Sequence, residues 1–214
     1  MFITFEGIEG SGKTSQIQSI QVQLRDKGYD VIATREPGSS DIGAQIRSIL
    51  LDSGNKGLDP LAELLLYMAD RAQHLSETIK PAMSAGKVIL CDRYFDATLA
   101  YQGYARGLDI SLIAKLHQLA FSDVRPDLTF LLDLPAEVGL ARAWRQIENG
   151  QRTGKETRFE EEALAFHSKV RSGYLTLAAE EPRRFEIIDA SAPKERVVQE
   201  IMAVIENVIN RDNL

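Results

Sequence analysis

The sequence predicts a three-layer α/β fold of the P-loop NTPase type, a five-stranded parallel sheet flanked by helices. Two observations carry this. Short apolar runs rich in β-branched residues alternate with longer stretches of about 3.6-residue apolar spacing, the pattern of parallel strands joined by crossover helices. The first run also leads directly into "GIEGSGKT", residues 7–14, a glycine-rich turn placed where a strand ends and a helix begins.

The elements follow in order. "FITFE", residues 2–6, is the first strand, and apolar spacing predicts a helix over 13–27. A second strand at 30–34 precedes helices over 41–51 and 60–85. "KVILC", 87–91, is the third strand, followed by a helix over 110–121. The fourth strand at 128–133 leads to helices over 136–146 and 159–180, and the fifth strand lies at 185–188. The last helix begins after "SAP", 191–193, with Pro193 at its first position, where a missing N–H is harmless. One polar, turn-rich stretch, "ENGQRTGKET" at 148–157, interrupts this pattern and is expected to be a mobile loop. No repeat or linker divides the chain, so residues 1–214 read as one domain with a lid segment at about 145–158.

Composition narrows the function. With 44% hydrophobic and 26% charged residues the chain reads as globular. A net charge of −6 argues against wrapping a nucleic acid, yet leaves room for a small anion held by a few focused cations. The N-terminus has neither the basic nor the apolar region of a signal peptide, and no run approaches about 18 apolar residues, so no membrane span is expected. Cys91 is the single cysteine, which rules out an internal disulfide, reads as a small core residue and suits the cytoplasm.

Residues 7–14 match G-x-x-x-x-G-K-[ST], the loop whose backbone N–H groups cradle nucleotide phosphates. Here Gly7, Ile8, Glu9, Gly10, Ser11 and Gly12 form the turn, and the N–H groups from Gly10 to Lys13 face the helix N-terminus that favours anions. Lys13 is placed to reach the β- and γ-phosphates of ATP, and the Thr14 hydroxyl to ligate Mg²⁺. A metal held this way needs an acid at the end of a hydrophobic strand, and "KVILCDR" supplies Asp92 with Arg93 beside it. Arg35, in "TREPG", and Arg93 each follow a parallel strand, at the carboxyl edge where α/β proteins bind ligands. Two arginines there can hold a phosphate through bidentate hydrogen bonds, and Pro37 stiffens the turn that carries the first. Tyr67 and Arg71 stand four residues apart on one expected helix and so project into one cleft. Such a loop serves GTPases, motors, transporter ATPases and small-molecule kinases alike. The N-K-x-D guanine motif is absent, and the chain is short for a motor.

"FEGIEGSGKT", "TREPGSSDIGAQIRSILL", "LLYMADRAQH", "CDRYFDATLAYQGYARGLD" and "IIDAS", in this order and at these distances, resemble the thymidylate kinase family from residue 2 to the final helix. The resemblance implies transfer of the γ-phosphoryl group of Mg·ATP to dTMP, giving dTDP and ADP in dTTP synthesis, by a homodimer. It implies that Tyr67 stacks on thymine, that Arg71 hydrogen-bonds the base edge, and that Thr98 and Gln102 line the base side. Tyr101 then packs on the deoxyribose and disfavours a ribose 2′-hydroxyl. Glu9 takes the place of an acid near the sugar and the metal, so that Thr14, Glu9 and Asp92 are the expected metal-side residues. Ala190 and Ser191 fall in the loop that meets adenine. Some family members carry a basic residue in the phosphate loop where Gly10 stands here. Those that lack it, chiefly bacterial, use lid arginines, and this chain offers Arg142, Arg145, Arg152, Lys155 and Arg158. Arg142 is assigned to the ATP side, and Arg152 or Arg158 is expected to swing onto the transferring group. Two departures stand out: "REPGSS" replaces a common REPGGT, and Thr157 replaces a frequent aspartate. A kinase for another nucleotide, or a nucleotide-binding regulatory module, would share the loop but not the Tyr67/Arg71 and "AYQGYARG" combination.

Overall fold

The computed structural model describes residues 1–121, 124–151 and 155–212. Its five strands are β1 (Phe2–Glu6), β2 (Val31–Arg35), β3 (Val88–Asp92), β4 (Leu128–Asp133) and β5 (Phe185–Asp189). The α-helices are α1 (Lys13–Asp26), α2 (Asp41–Leu51), α3 (Pro60–His74), α4 (Lys80–Ser84), α5 (Phe95–Thr98), α6 (Ile110–Phe121), α7 (Ala136–Glu148), α8 (Leu164–Glu180) and α9 (Lys194–Asp212). All strand pairs are parallel, in the order β2-β3-β1-β4-β5. Helices cover both faces, so central strands must be apolar on both sides. Every residue of β1 is buried, whereas the edge strands β2 and β5 each leave residues open. Cys91 is a buried free thiol, as its place in the central β3 run predicts.

Register places the site. Phe5 pairs with Asp92, and Asp92 with Arg35, so the carboxyl ends of β1, β3 and β2 lie level. The turns leaving these strands therefore open onto one edge. Two helix starts are capped by side chains: Ser40 accepts from the Gly43 N–H, and Asp59, just before Pro60, accepts from the Leu61 N–H.

Three stretches differ from expectation. The helix expected over 60–85 runs as α3, a π-helical turn at Leu75–Ile79, and α4. Pro81 has no N–H to continue the i→i−4 ladder, and the register widens just before it. A helical stretch absent from the expected set, α5 followed by a π-helical turn at Leu99–Ala105, carries Tyr101 and Gln102. Leu99 to Gly103 are all buried, so this stretch has no polar face to reveal a helical period. The helix expected from 159 begins only at Leu164. Phe159 is instead pinned outside it, its ring edge-on to Tyr101 and its carbonyl 2.9 Å from His167 Nε2.

Candidate functional site

One cleft at the carboxyl edge of the sheet is lined by Glu9, Gly10, Gly12, Lys13 and Thr14 on one side. Arg35, Pro37, Tyr67, Arg71, Asp92, Arg93, Thr98, Tyr101 and Gln102 complete its walls. Residues scattered over the sequence thus meet, because the turns after β1, β2 and β3 and the helix α3 converge there.

The loop between β1 and α1 holds Lys13 tightly. Its Nζ donates to the carbonyls of Gly7 and Ile8, each at 3.0 Å, and to Ser11 Oγ at 3.2 Å. Burial and the nearby Arg93 pull the Lys13 pKa down to about 8, against Asp92 and Glu9, which favour its charge. A bound polyphosphate would reverse that depression. Thr14 Oγ1 donates to Asp92 Oδ2 at 2.8 Å, which joins the loop to the end of β3. Gly10 has φ 71°, and a Cβ there would overlap the Gly139 carbonyl of α7. No side chain, basic or otherwise, fits at position 10 while α7 lies this close.

Arg93 packs against Tyr101 in the cleft wall. Its Nη2 donates to Glu9 Oε1 at 3.0 Å, and its guanidinium carbon sits 4.9 Å from the centre of the Tyr101 ring. The Tyr101 hydroxyl donates to the same Glu9 oxygen at 2.6 Å, and His167 Nδ1 lies 3.1 Å from the other. Burial alone would raise the Glu9 pKa, but Arg93 and His167 outweigh it and hold the carboxyl far below its ordinary range. Glu9 Oε1 is thus committed to Arg93 and Tyr101, whereas Oε2 is buried with His167 as an ion-pair neighbour but no hydrogen-bond partner among the described residues.

Arg71 is 1% exposed. Its Nε donates to Glu36 Oε2 at 2.8 Å and its Nη2 to Thr98 Oγ1 at 3.0 Å and to the Tyr94 carbonyl at 3.1 Å. Glu36 also meets His74 Nδ1 at 2.9 Å, so Arg71 stands in a fixed frame. Gln102 Nε2 donates to Glu63 Oε1 at 2.7 Å. Arg35 ends β2 as an exposed cation whose pKa burial and Arg47 both lower. Ser39 is not among the residues of positive φ, so the turn accepts serine in place of the second glycine.

Arg142 Nη1 donates to the Ala190 carbonyl at 2.9 Å, and Ser191 N–H donates to Asp189 Oδ1 at 2.9 Å. Arg142, Ala190 and Ser191 are not among the residues that line the cleft. The lid expectation fares differently. Arg152 lies outside the described residues. Arg158 is no solvated cation: its Nη1 lies 2.7 Å from Glu63 Oε2, its Nε donates to the Leu50 carbonyl, and it is 5% exposed. It does not line the cleft, and the buried Glu63 holds it away from any phosphate there.

Several partners escaped the sequence reading: the buried Glu6, Glu36, Glu63, His167 and Tyr174, and the half-buried Arg47. Arg47 lines the cleft and pairs with Glu156 at 2.7 Å. Glu6 alone gave a signal, a carboxylate ending an otherwise apolar central strand. Glu63, His167, Tyr174 and Arg47 sit on helices, where a polar residue ordinarily faces water, and Glu36 lies in the turn after β2.

The comparisons agree with this geometry. A family model described as Thymidylate kinase matches residues 5–201. A thymidylate kinase of Desulforapulum autotrophicum is 53% identical over 212 residues, covering 99% of this chain and 93% of the relative. One of Geobacter sulfurreducens is 52% identical over 210 residues, with 98% of each chain covered. The crystal structure of thymidylate kinase from Ehrlichia chaffeensis superposes with a TM-score of 0.76 at 35% identity, covering 96% of this chain and 98% of that one. With the phosphate loop, the strand-end arginines and the Tyr67/Arg71 wall in one cleft, the chain belongs to the thymidylate kinase family and acts as a nucleoside monophosphate kinase that phosphorylates dTMP.

Proposed function

We propose that ATP occupies the phosphate-loop side of the cleft and dTMP the side of Tyr67, Arg71 and Tyr101, with the γ-phosphoryl group passing between them at Lys13 and Arg93. The observation that carries this reading is the level register of β1, β3 and β2, which brings Thr14, Asp92, Arg93 and Arg35 to one edge. Phosphoryl transfer needs in-line positioning and fixed positive charge more than covalent chemistry. Lys13 and Arg93 supply that charge at the transferring group, and Arg35 holds the acceptor phosphate. Arg71 and Thr98 present a rigid polar edge to thymine, with Tyr67 across its face. Gln102 adds to that edge, and Tyr101 closes the sugar pocket against a 2′-hydroxyl. Arg142, with Ala190 and Ser191, borders adenine, and Arg152 keeps the lid role that Arg158, bound to Glu63, does not have.

Magnesium fits here. Thr14 and Asp92 offer paired oxygens beside the loop, and among the described residues no cluster of three carboxylate, histidine or cysteine groups competes for a metal. Mg²⁺ takes few protein ligands and keeps water and phosphate oxygens. When bound with ATP it neutralises phosphate charge. Asp92 orients that side of the cleft and is not needed as a strong base, because a dTMP phosphate is already largely ionised at neutral pH. We assign the working enzyme to the cytoplasm as a homodimer of one-domain chains, its contact face formed by α2 and α3. Among the described residues, no helix is long and apolar enough to cross a membrane.

The test is ADP release from Mg·ATP, measured alone and with dTMP, dUMP, dCMP, dGMP or thymidine. Release should depend on an added acceptor and be fastest with dTMP. Equal rates with dCMP would refute the base-side assignment, and acceptor-independent release would refute the two-sided cleft.

A further inference from the structure

Arg93 has φ 68°, a left-handed conformation costly for a residue with a Cβ, and it is the non-glycine residue with positive φ among those described. Such a backbone persists only when its surroundings hold it. Glu6, at the end of β1 and fully buried, meets the segment twice. Its Oε1 accepts from the Tyr94 N–H at 2.8 Å, on the peptide that follows Arg93. Its Oε2 lies 2.6 Å from the hydroxyl of Tyr174, a fully buried residue of α8. That hydroxyl in turn accepts from Arg93 Nη1 at 3.2 Å. The Arg93 N–H donates to the Phe5 carbonyl at 3.0 Å, so β1 grips the residue on this side as well.

We propose that Glu6 and Tyr174 are positioning residues for phosphoryl transfer, a buried clamp that holds Arg93 in its left-handed turn and aims its guanidinium into the cleft. The inference rests on the reading of Arg93 as a cation at the transferring group. Packing alone does not account for the pair. A leucine and a phenylalanine would fill the same space without the cost of burying a carboxylate and a hydroxyl. Left to itself, a long arginine side chain loses much rotamer freedom when fixed in one pose. The clamp meets that cost during folding, so the guanidinium is already in place when substrates arrive.

The decisive experiment is a double-mutant cycle with Tyr174→Phe and Arg93→Ala, reading kcat, both KM values and melting temperature. Tyr174→Phe keeps the ring but leaves Glu6 Oε2 without its partner, so melting should fall by several degrees with the fold retained. It should lower kcat about 10- to 100-fold, the scale of a misplaced catalytic group, with KM for ATP within about twofold. In the Arg93→Ala background the same change should cost nothing further in kcat, because its target is gone. Glu6→Gln, which keeps an oxygen for Tyr94 N–H, should retain more kcat than Glu6→Ala. A wild-type kcat for Tyr174→Phe, or an equal loss in both backgrounds, would overturn the clamp while leaving the role of Arg93 intact. A wild-type kcat for Arg93→Ala would overturn both.

Discussion

Two carboxylates three positions apart on the chain, Glu6 and Glu9, are held in opposite states by their surroundings. Glu9 stays charged beside Arg93 and His167. Glu6 is pushed up to about 8, first by burial and then by the nearby charge of Asp96, with Arg93 and the Tyr174 hydrogen bond opposing. Either state of Glu6 keeps its contact with Tyr174, since a carboxylate accepts from the phenol and a carboxylic acid donates to it. The raised value means that folding favours the protonated form. Its stabilising contribution is complete below the ordinary carboxyl range near 4.5 and is lost as pH rises through about 8. Glu6→Gln does not titrate. The stability of the variant relative to wild type, from denaturant melts at each pH, should therefore climb by more than about 1 kcal/mol between pH 5 and 9. A flat difference would show that Glu6 ionises freely in the fold.

At the scale of elements, the segment after the polar loop is anchored where a lid would be free. Glu63 of α3 is 1% exposed and receives Arg158 Nη1 at 2.7 Å, Gln102 Nε2 at 2.7 Å and Arg106 Nε at 3.4 Å. It thus joins α3, the π-helical turn with Tyr101 and Gln102, and the segment before α8. Removing one partner of a buried pair leaves the other charge poorly compensated. Arg158→Ala should cost about 3 kcal/mol in denaturant unfolding, whereas an exposed arginine is worth under about 1 kcal/mol. Because Glu63 also orients Gln102, KM for dTMP should rise more than KM for ATP. Wild-type stability with reduced kcat would restore the swinging-lid role.

For the whole molecule, four of the exposed apolar side chains lie on two neighbouring helices. Ile42 and Ile49 on α2 are 49% and 43% exposed, and Leu61 and Leu65 on α3 are 47% and 52% exposed. The two helices pack together, so these residues form a patch of the kind that a partner surface covers. A twofold dimer buries such a patch against itself. Sedimentation at micromolar concentration should show a dimer for wild type and a monomer for Leu65→Glu. A monomeric wild type would end this reading of the patch.

Much of the molecule was legible in the sequence because its signals are local. The apolar runs of the central strands need only their own residues to be read, and β1, β4, α2 and α6 fall where periodicity puts them. The phosphate loop is likewise local, since glycine spacing and the following helix act over eight residues, 7–14. The cleft wall was legible as a set of residues, from strand ends, i to i+4 spacing and resemblance to the family. Its internal wiring was not. That Arg158 turns inward to Glu63, that Tyr174 reaches Glu6 from 168 positions away, and that Gly10 abuts Gly139 are decided by which helix lies on which strand. A buried polar side chain carries no pattern of its own. Its partner is chosen only when the sheet has closed and an unpaired charge in the interior would be too costly to leave.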